Sequence, residues 1–182
     1  MKHLVVGLTI LMLMSCNIQG KRINVVHQLY GAQISFPDSM LIVKNGKVSR
    51  DKYLHNNSSV VCWLDSNICS PCAVKGLYLW EDLIEIGTSD TMSFDVVFIF
   101  MPKYNDKDAI LQEILKQPKF KGILLIDDNY SFVSGNLDIY KNIKYFNTYL
   151  IDKNDTVKIV GSPIKNDVMW NLYLKHLKMP DL

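Results

Sequence analysis

Three short and almost continuous apolar runs constrain the fold of this chain more than any other feature. They are Ser59–Leu64, Asp95–Phe100 and Gly122–Ile126. A run that is apolar throughout is typical of a strand buried on both faces. Two segments with apolar residues at helical spacing, Pro71–Ile86 and Asp106–Gln117, separate the runs. Strands that alternate with helices predict an α/β fold with a central sheet flanked by helices.

The C-terminal part of the chain predicts that this sheet is mixed. Two further strand-like segments, Asn147–Ile151 and Thr156–Val160, flank the turn sequence Asp152–Asp155. This arrangement is typical of a β-hairpin, whose strands are antiparallel. An amphipathic helix is predicted over Ile164–Leu177.

The segment before the first apolar run indicates its secondary structure less clearly. Two strand-like pieces, Ala32–Phe36 and Leu41–Val43, precede the turn sequence Asn45-Gly46. The polar stretch Ser49–Asn57 is predicted to be a loop. We therefore interpret residues 23–57 as an N-terminal β-extension.

The start of the chain indicates export. Lys2 precedes an apolar stretch from Leu4 to Met14. A span across a bilayer needs about 20 apolar residues, so this stretch is too short to cross a membrane. A basic residue before a short apolar run is typical of a secretory signal peptide. A buried N-terminal helix is the alternative.

Leu13-Met14-Ser15-Cys16 resembles the lipobox of bacterial lipoproteins. The resemblance implies cleavage before Cys16, lipidation of its thiol, and a domain that faces the periplasm of a Gram-negative cell envelope. Two acyl chains anchor a protein stably, whereas one chain gives marginal membrane binding. On this interpretation residues 1–15 are the signal peptide and residues 16–22 are a lipidated tether.

Length and charge exclude some classes of protein. The chain has 182 residues, a length that favours one domain with a substantial core. Its net charge is +2. We place that domain at residues 58–182. No basic patch interleaved with aromatic residues is evident, so nucleic acid is not an expected partner.

The segment Cys69-Ser70-Pro71-Cys72 follows the first apolar run and opens a helical pattern. Disulfide exchange needs a thiolate, and a helix start lowers a thiol pKa through its unpaired amides and dipole. We therefore predict that Cys69 is the nucleophile and Cys72 the resolving thiol. Pro71 suits an early helical position, where its missing N–H would have no partner. Ser70 and Pro71 are expected to tune the redox potential.

Other interpretations of this cysteine pair remain open. A zinc site needs about four ligands, and the histidines of the chain are isolated, so neither a metal nor another bound cofactor is expected. Exported proteins favour permanent disulfides, but a bridge that closes so short a loop stabilises little. Cys62 lies in an apolar strand and is predicted to be a buried core residue.

Three segments together resemble a thioredoxin-fold protein. They are the strand Val60–Leu64, the CxxC segment that opens a helix, and TYLIDKNDTVKIVG before the final helix. The chain is similar to envelope thiol-disulfide oxidoreductases and small thioredoxin-like lipoproteins, and GILLIDDNYSFVSGN resembles an insert of the thiol-specific antioxidant branch. The resemblance implies exchange with envelope client proteins that carry thiols or disulfides, and a membrane electron donor or acceptor.

Two positions depart from the family pattern. A cis-proline usually begins the strand that corresponds to Asn147–Ile151, and Phe146 occupies that position here. A cis peptide at a non-proline residue costs about 3 kcal/mol, so a trans peptide is expected. Trp63 replaces the buried acidic residue of the strand before CxxC. These losses favour an alternative function, a redox-inactive accessory or binding lipoprotein with a thioredoxin fold.

Further residues are assigned supporting roles. Asp65 is either a polar group at a strand end or an aid to proton transfer. Trp63 is a core aromatic residue that could cover the disulfide, and a redox sensor acting through its surroundings is a third hypothesis. Phe146 and Asn147 are expected to form the wall that faces the substrate. Asp127-Asp128 is interpreted as a turn.

Overall fold

A mixed sheet forms the centre of the computed structural model, which describes residues 20–64, 70–89, 92–102, 106–117, 119–142 and 144–178. The strands within these residues are β1 (Met40–Lys44), β2 (Lys47–Asp51), β3 (Ser59–Leu64), β4 (Asp95–Phe100), β5 (Ile123–Ile126), β6 (Thr148–Ile151) and β7 (Val157–Val160). The helices are α1 (residues 20–29), α2 (Ser70–Lys75), α3 (Glu81–Gly87), α4 (Lys107–Leu115), α5 (Ser131–Gly135), α6 (Leu137–Tyr140) and α7 (Asp167–Lys178). A 3-10 helix, Gly76–Trp80, joins α2 to α3.

The sheet has the order β2-β1-β5-β4-β3-β6-β7. Strands β3, β4 and β5, the three apolar runs of the sequence, are parallel neighbours at its centre. Strand β6 pairs with β3 in the antiparallel direction, and β1 pairs in the same way with β5. The predicted α/β fold with a mixed central sheet is therefore confirmed. None of the helices that the structure describes is long and apolar enough to cross a bilayer.

Each face of the sheet packs against its own layer of helices. The α2 face is covered by side chains of α2, α3, α4 and α7, and the α1 face by side chains of α1, α5 and α6. Successive residues of a strand point to opposite faces. Val60 and Cys62 of β3 accordingly belong to the α2 face, whereas Val61 and Trp63 belong to the α1 face.

Helix α1 was not predicted from the sequence. Residues 20–22, expected within the tether, lie in this helix, and its Val25 and Leu29 are buried on the α1 face. Its sequence mixes polar and apolar residues over fewer than three turns, too short a span for a clear periodic signal. Residues 20–22 are therefore helical.

The predicted strand Ala32–Phe36 is wrong, because these residues form a single β-bridge between Gln33 and Thr156. The bridge covers the outer edge of β7, where Gly31 N donates to Val157 O at 2.8 Å. The chain then turns inward and meets the amide of Asn136. That amide accepts from Ser35 N at 2.8 Å and donates to Ser35 O at 2.7 Å.

The predicted Asn45-Gly46 turn is confirmed. Both residues have positive φ, 53° and 70°, as the tight turn of a two-residue β-hairpin requires. Strand β2 extends to Asp51, so part of the predicted loop Ser49–Asn57 is a strand. Every residue of β2 is exposed, and a polar edge strand lacks the alternation that would reveal it in a sequence. Because β1 pairs with β5, the hairpin belongs to the central sheet.

Asp127 follows β5 and caps helix α5. Its carboxylate accepts hydrogen bonds from Ser131 Oγ at 3.2 Å, Phe132 N at 3.1 Å and Val133 N at 3.3 Å. The side chain is almost completely buried, so these donors replace the water that it loses. Neither α5 nor α6 was predicted, because each is shorter than two turns.

We predict that Asp127→Ala lowers the free energy of unfolding by about 1–2 kcal/mol, because it leaves buried amides of α5 without an acceptor. Urea unfolding followed by circular dichroism measures this change. Asp138→Ala is the matched control, since the Asp138 side chain is 98% exposed and forms a surface ion pair with Lys141. An equal loss in both variants would contradict the capping role.

Candidate active site

The candidate site lies at the edge of the sheet where the parallel strands end. We call this the carboxyl edge and define it by Leu64, Phe100, Ile126 and Asn147. Leu64 O accepts from Met101 N at 3.1 Å, and Phe100 O accepts from Asp127 N at 2.8 Å. The carboxyl ends of parallel strands in α/β sheets are a common location for ligand sites.

Cys72 lies in the first turn of α2, which follows β3 in the chain, and is exposed. It is disulfide-bonded, and its partner is not among the described residues, where Cys62 is the free cysteine. Val74 and Leu77 of the same helical segment are buried on the α2 face. Their burial fixes the helix against the sheet while Cys72 remains accessible.

Several predicted site residues cannot be placed. Cys16, Asp65 and Cys69 lie outside the described residues. The backbone of Ser70 and Pro71 lies at the start of α2, in agreement with the early helical position expected for the proline.

Trp63 lies on the face of the sheet opposite α2. It is 1% exposed, and its ring meets Phe132 edge-on at 4.8 Å and Tyr140 at 5.6 Å between ring centroids. Its Nε1 is buried and has no hydrogen-bond partner among the described residues. Trp63 is therefore a core residue of the α1 face, and its described ring contacts are with α5 and α6 rather than with α2.

Cys62, rather than Trp63, shares a face with α2, a consequence of strand alternation that the sequence interpretation missed. Its thiol is buried and accepts a weak hydrogen bond from Thr148 Oγ1 at 3.8 Å. Burial raises the pKa of the Cys62 thiol to about 12, although the Thr148 hydroxyl opposes the rise. A thiol with this pKa is protonated at neutral pH and is a poor nucleophile. The prediction that Cys62 is a core residue is confirmed.

Phe146 and Asn147 lie beside the end of β3. Asn147 O accepts from Trp63 N at 2.7 Å, which continues the pairing of β6 with β3. Tyr149 Oη donates to Phe146 O, and Phe146 is half-buried against the α1 face. The described residues contain no cis peptide bond, so the expected trans peptide at Phe146 is confirmed.

Tyr130 is a residue of this edge that sequence reasoning missed. Its φ of 58° is unusual for a residue with a side chain, and its hydroxyl donates to Pro102 O at 3.3 Å across the carboxyl edge. Neighbouring Asp128 is held by Arg50, with 2.6 Å between Nη2 and Oδ2. No sequence pattern signals a left-handed tyrosine.

Solved structures with a similar fold cover most of the chain. AhpC of Mycobacterium tuberculosis matches with a TM-score of 0.53 and 14% identity over 84% of this chain and 94% of that one. The thioredoxin domain of a thiol-disulfide oxidoreductase from Bacteroides vulgatus matches with a TM-score of 0.53 and 11% identity, over 81% and 97%. The fold is thioredoxin-like.

A third match agrees with this assignment. A Chlorobium tepidum protein assigned as the thiol:disulfide interchange protein DsbE has a TM-score of 0.51 and 15% identity, over 81% of this chain and 97% of that one. No protein-family model and no curated protein matches the sequence. In this fold α2, which carries Cys72 in its first turn, is the helix that follows β3 in the chain.

We predict that Cys62 resists alkylation in the folded protein at pH 8, because its raised pKa leaves almost no thiolate and the side chain is buried. Iodoacetamide labelling followed by peptide mass spectrometry measures this, with the urea-unfolded protein as the positive control. Rapid labelling of Cys62 in the folded protein would contradict its position in the core.

Proposed function

We propose that the protein is a membrane-anchored thiol-disulfide oxidoreductase that exchanges disulfides with envelope proteins through Cys69 and Cys72. The observation that supports this most strongly is an exposed, disulfide-bonded Cys72 in the first turn of the helix that follows β3, a buried parallel strand of a thioredoxin-like sheet. In this proposal Cys69 is the disulfide partner of Cys72.

The exchange proceeds in two steps, each of which makes one S–S bond and breaks another. The Cys69 thiolate attacks a client disulfide, forms a mixed disulfide and releases one client thiolate. The Cys72 thiolate then attacks Cys69 sulfur and releases the second client thiolate. The client gains two electrons, and the protein is left with a Cys69–Cys72 disulfide. Oxidation of a client dithiol is the same sequence in reverse, so the cysteine pair needs no bound cofactor.

The surroundings of Cys72 suit this role. Amides in the first turn of a helix have no intrahelical partner, and they stabilise a nearby thiolate. Cys62 is buried and protonated, so it does not compete as a nucleophile. Phe146 and Asn147, beside the end of β3, are the groups we assign to the wall that a client meets.

A redox-inactive accessory or binding lipoprotein is the second candidate. The observations that favour it are at the carboxyl edge, where a buried Trp63 stands in place of the family's acid and the peptide of Phe146 is trans. Without a buried carboxylate at position 63, deprotonation of the resolving thiol relies on solvent or on the carboxylate of Asp65.

We predict that the protein catalyses reduction of insulin disulfides by dithiothreitol, measured as turbidity. Cys69→Ser should abolish catalysis because it removes the nucleophile. Cys72→Ser, reduced and then incubated with insulin after removal of dithiothreitol, should instead accumulate a mixed disulfide with the client, visible on a non-reducing gel, since no second thiol is present to resolve it.

The matched control is Cys62→Ser, which changes a cysteine that is buried away from the exchange and should keep the wild-type rate per folded molecule. Wild-type protein that gives no rate above dithiothreitol alone would contradict the proposed function and support the accessory role.

A further inference from the structure

Helix α1 exposes a stripe of two large hydrophobic side chains and a histidine on the side that faces away from the sheet. Ile23, His27 and Tyr30 have the spacing i, i+4 and i+7, which places them on one side of a helix. Tyr30 N donates to Val26 O at 2.9 Å, so the helical geometry extends to Tyr30. Ile23 is 57% exposed and Tyr30 is 63% exposed. We call these three residues the α1 stripe.

The α1 stripe lies in a cationic part of the chain. Lys21 and Arg22 belong to the first turn of α1 and are exposed. The first acidic residue of the sequence is Asp38. None of the ion pairs in the described part of the chain involves Lys21 or Arg22. Lys21 and Arg22 lie just before Ile23 and do not share its side of the helix, so they add positive charge at the start of α1 rather than within the α1 stripe. Long basic side chains and tyrosine rings are favoured at an anionic lipid surface.

The position of α1 relative to the proposed anchor restricts what can cover the stripe. Only three residues separate Cys16 from Gly20, the first described residue of α1. An extended residue spans at most about 3.6 Å, so the helix begins within about 14 Å of Cys16. A lipid on Cys16 therefore keeps α1 at the bilayer surface.

We infer that the α1 stripe, with Lys21 and Arg22, rests on the anionic surface of the membrane that holds the anchor and so orients the domain on the bilayer. This inference relies on the lipid anchor of the proposed function. A single short helix with two apolar side chains binds lipid weakly alone, but an acyl anchor beside it removes most of the cost of association.

This orientation leaves the candidate active site open. Gly31 N donates to Val157 O, which places Tyr30 near the start of β7. Val157 pairs with Ile151, and Ile151 pairs with Ser59 at the amino end of β3. Tyr30 is therefore near the edge of the sheet opposite the carboxyl edge, and a membrane there does not cover Cys72.

Helix α7 offers a matched control surface. Val168 is 78% exposed and Leu172 is 46% exposed, and their i, i+4 spacing resembles that of the α1 stripe. The adjacent Asp167 is acidic, the basic residues of α7 are confined to its last turn, and α7 packs against the α2 face of the sheet, opposite α1. An anionic bilayer should therefore contact α1 and not α7.

The test uses the full-length chain in Gram-negative cells, with the photoreactive residue benzoylphenylalanine at position 23, 30, 168 or 172. After illumination, mass spectrometry of the labelled peptide counts phospholipid adducts. We expect at least about fivefold more phospholipid adduct at positions 23 and 30 than at 168 and 172. Lys21→Glu with Arg22→Glu should lower the yield at 23 and 30 about fivefold or more, with the chain still in the membrane fraction.

Incorporation of labelled palmitate, which Cys16→Ala should abolish, measures lipidation of the chain independently of the contact between α1 and the membrane. A lipidated, membrane-bound chain with equal phospholipid yields at all four positions would overturn the α1 contact alone. Protein adducts in place of lipid adducts at positions 23 and 30 would also overturn it, since they indicate a protein partner. A wild-type chain without palmitate would contradict the anchor and, with it, the membrane contact.

Discussion

The burial of β3 on both faces is the constraint on which the rest of the structure depends. This strand pairs with β4 in the parallel direction and with β6 in the antiparallel direction, so it has no free edge. Its side chains alternate between two separate apolar layers, and Cys62 is buried in one layer and Trp63 in the other. Both the position of α2 and the arrangement of the carboxyl edge follow from this pairing.

The same constraint explains why Trp63 does not lie where it could cover the disulfide. Trp63 fills volume on the α1 face, where Phe132 and Tyr140 pack against it. It cannot accept a proton, and its Nε1, which has no hydrogen-bond partner among the described residues, is a donor only. The proposed exchange chemistry therefore depends on the thiols of the CxxC segment and on the polarity of the helix start.

The helices and strands that were predicted from the sequence are those whose apolar residues recur at regular helical spacing or form a continuous run. Strands β3, β4 and β5 are apolar because both of their faces are covered, and α4 and α7 are long enough to show a helical period. The N-terminal region was harder to predict. Helix α1 has two buried residues, Val25 and Leu29, and strand β2 has none. Side-chain capping by Asp127 and the bidentate contact of Asn136 depend on residues distant in sequence, so no local pattern reveals them.

For the candidate site, the cysteine pair and the wall residues Phe146 and Asn147 stay predictions from the sequence, whereas the side of the sheet on which Trp63 lies required the register of the strands. The central claim is that Cys69 and Cys72 form a reversible redox couple. The most direct test is the reduction potential of this pair, measured by equilibration in glutathione and dithiothreitol buffers with Cys16→Ser to exclude a third accessible thiol. The account predicts a two-electron couple between about −270 and −120 mV. A disulfide that stays oxidised far below this range, or a pair that never forms a disulfide, would contradict it.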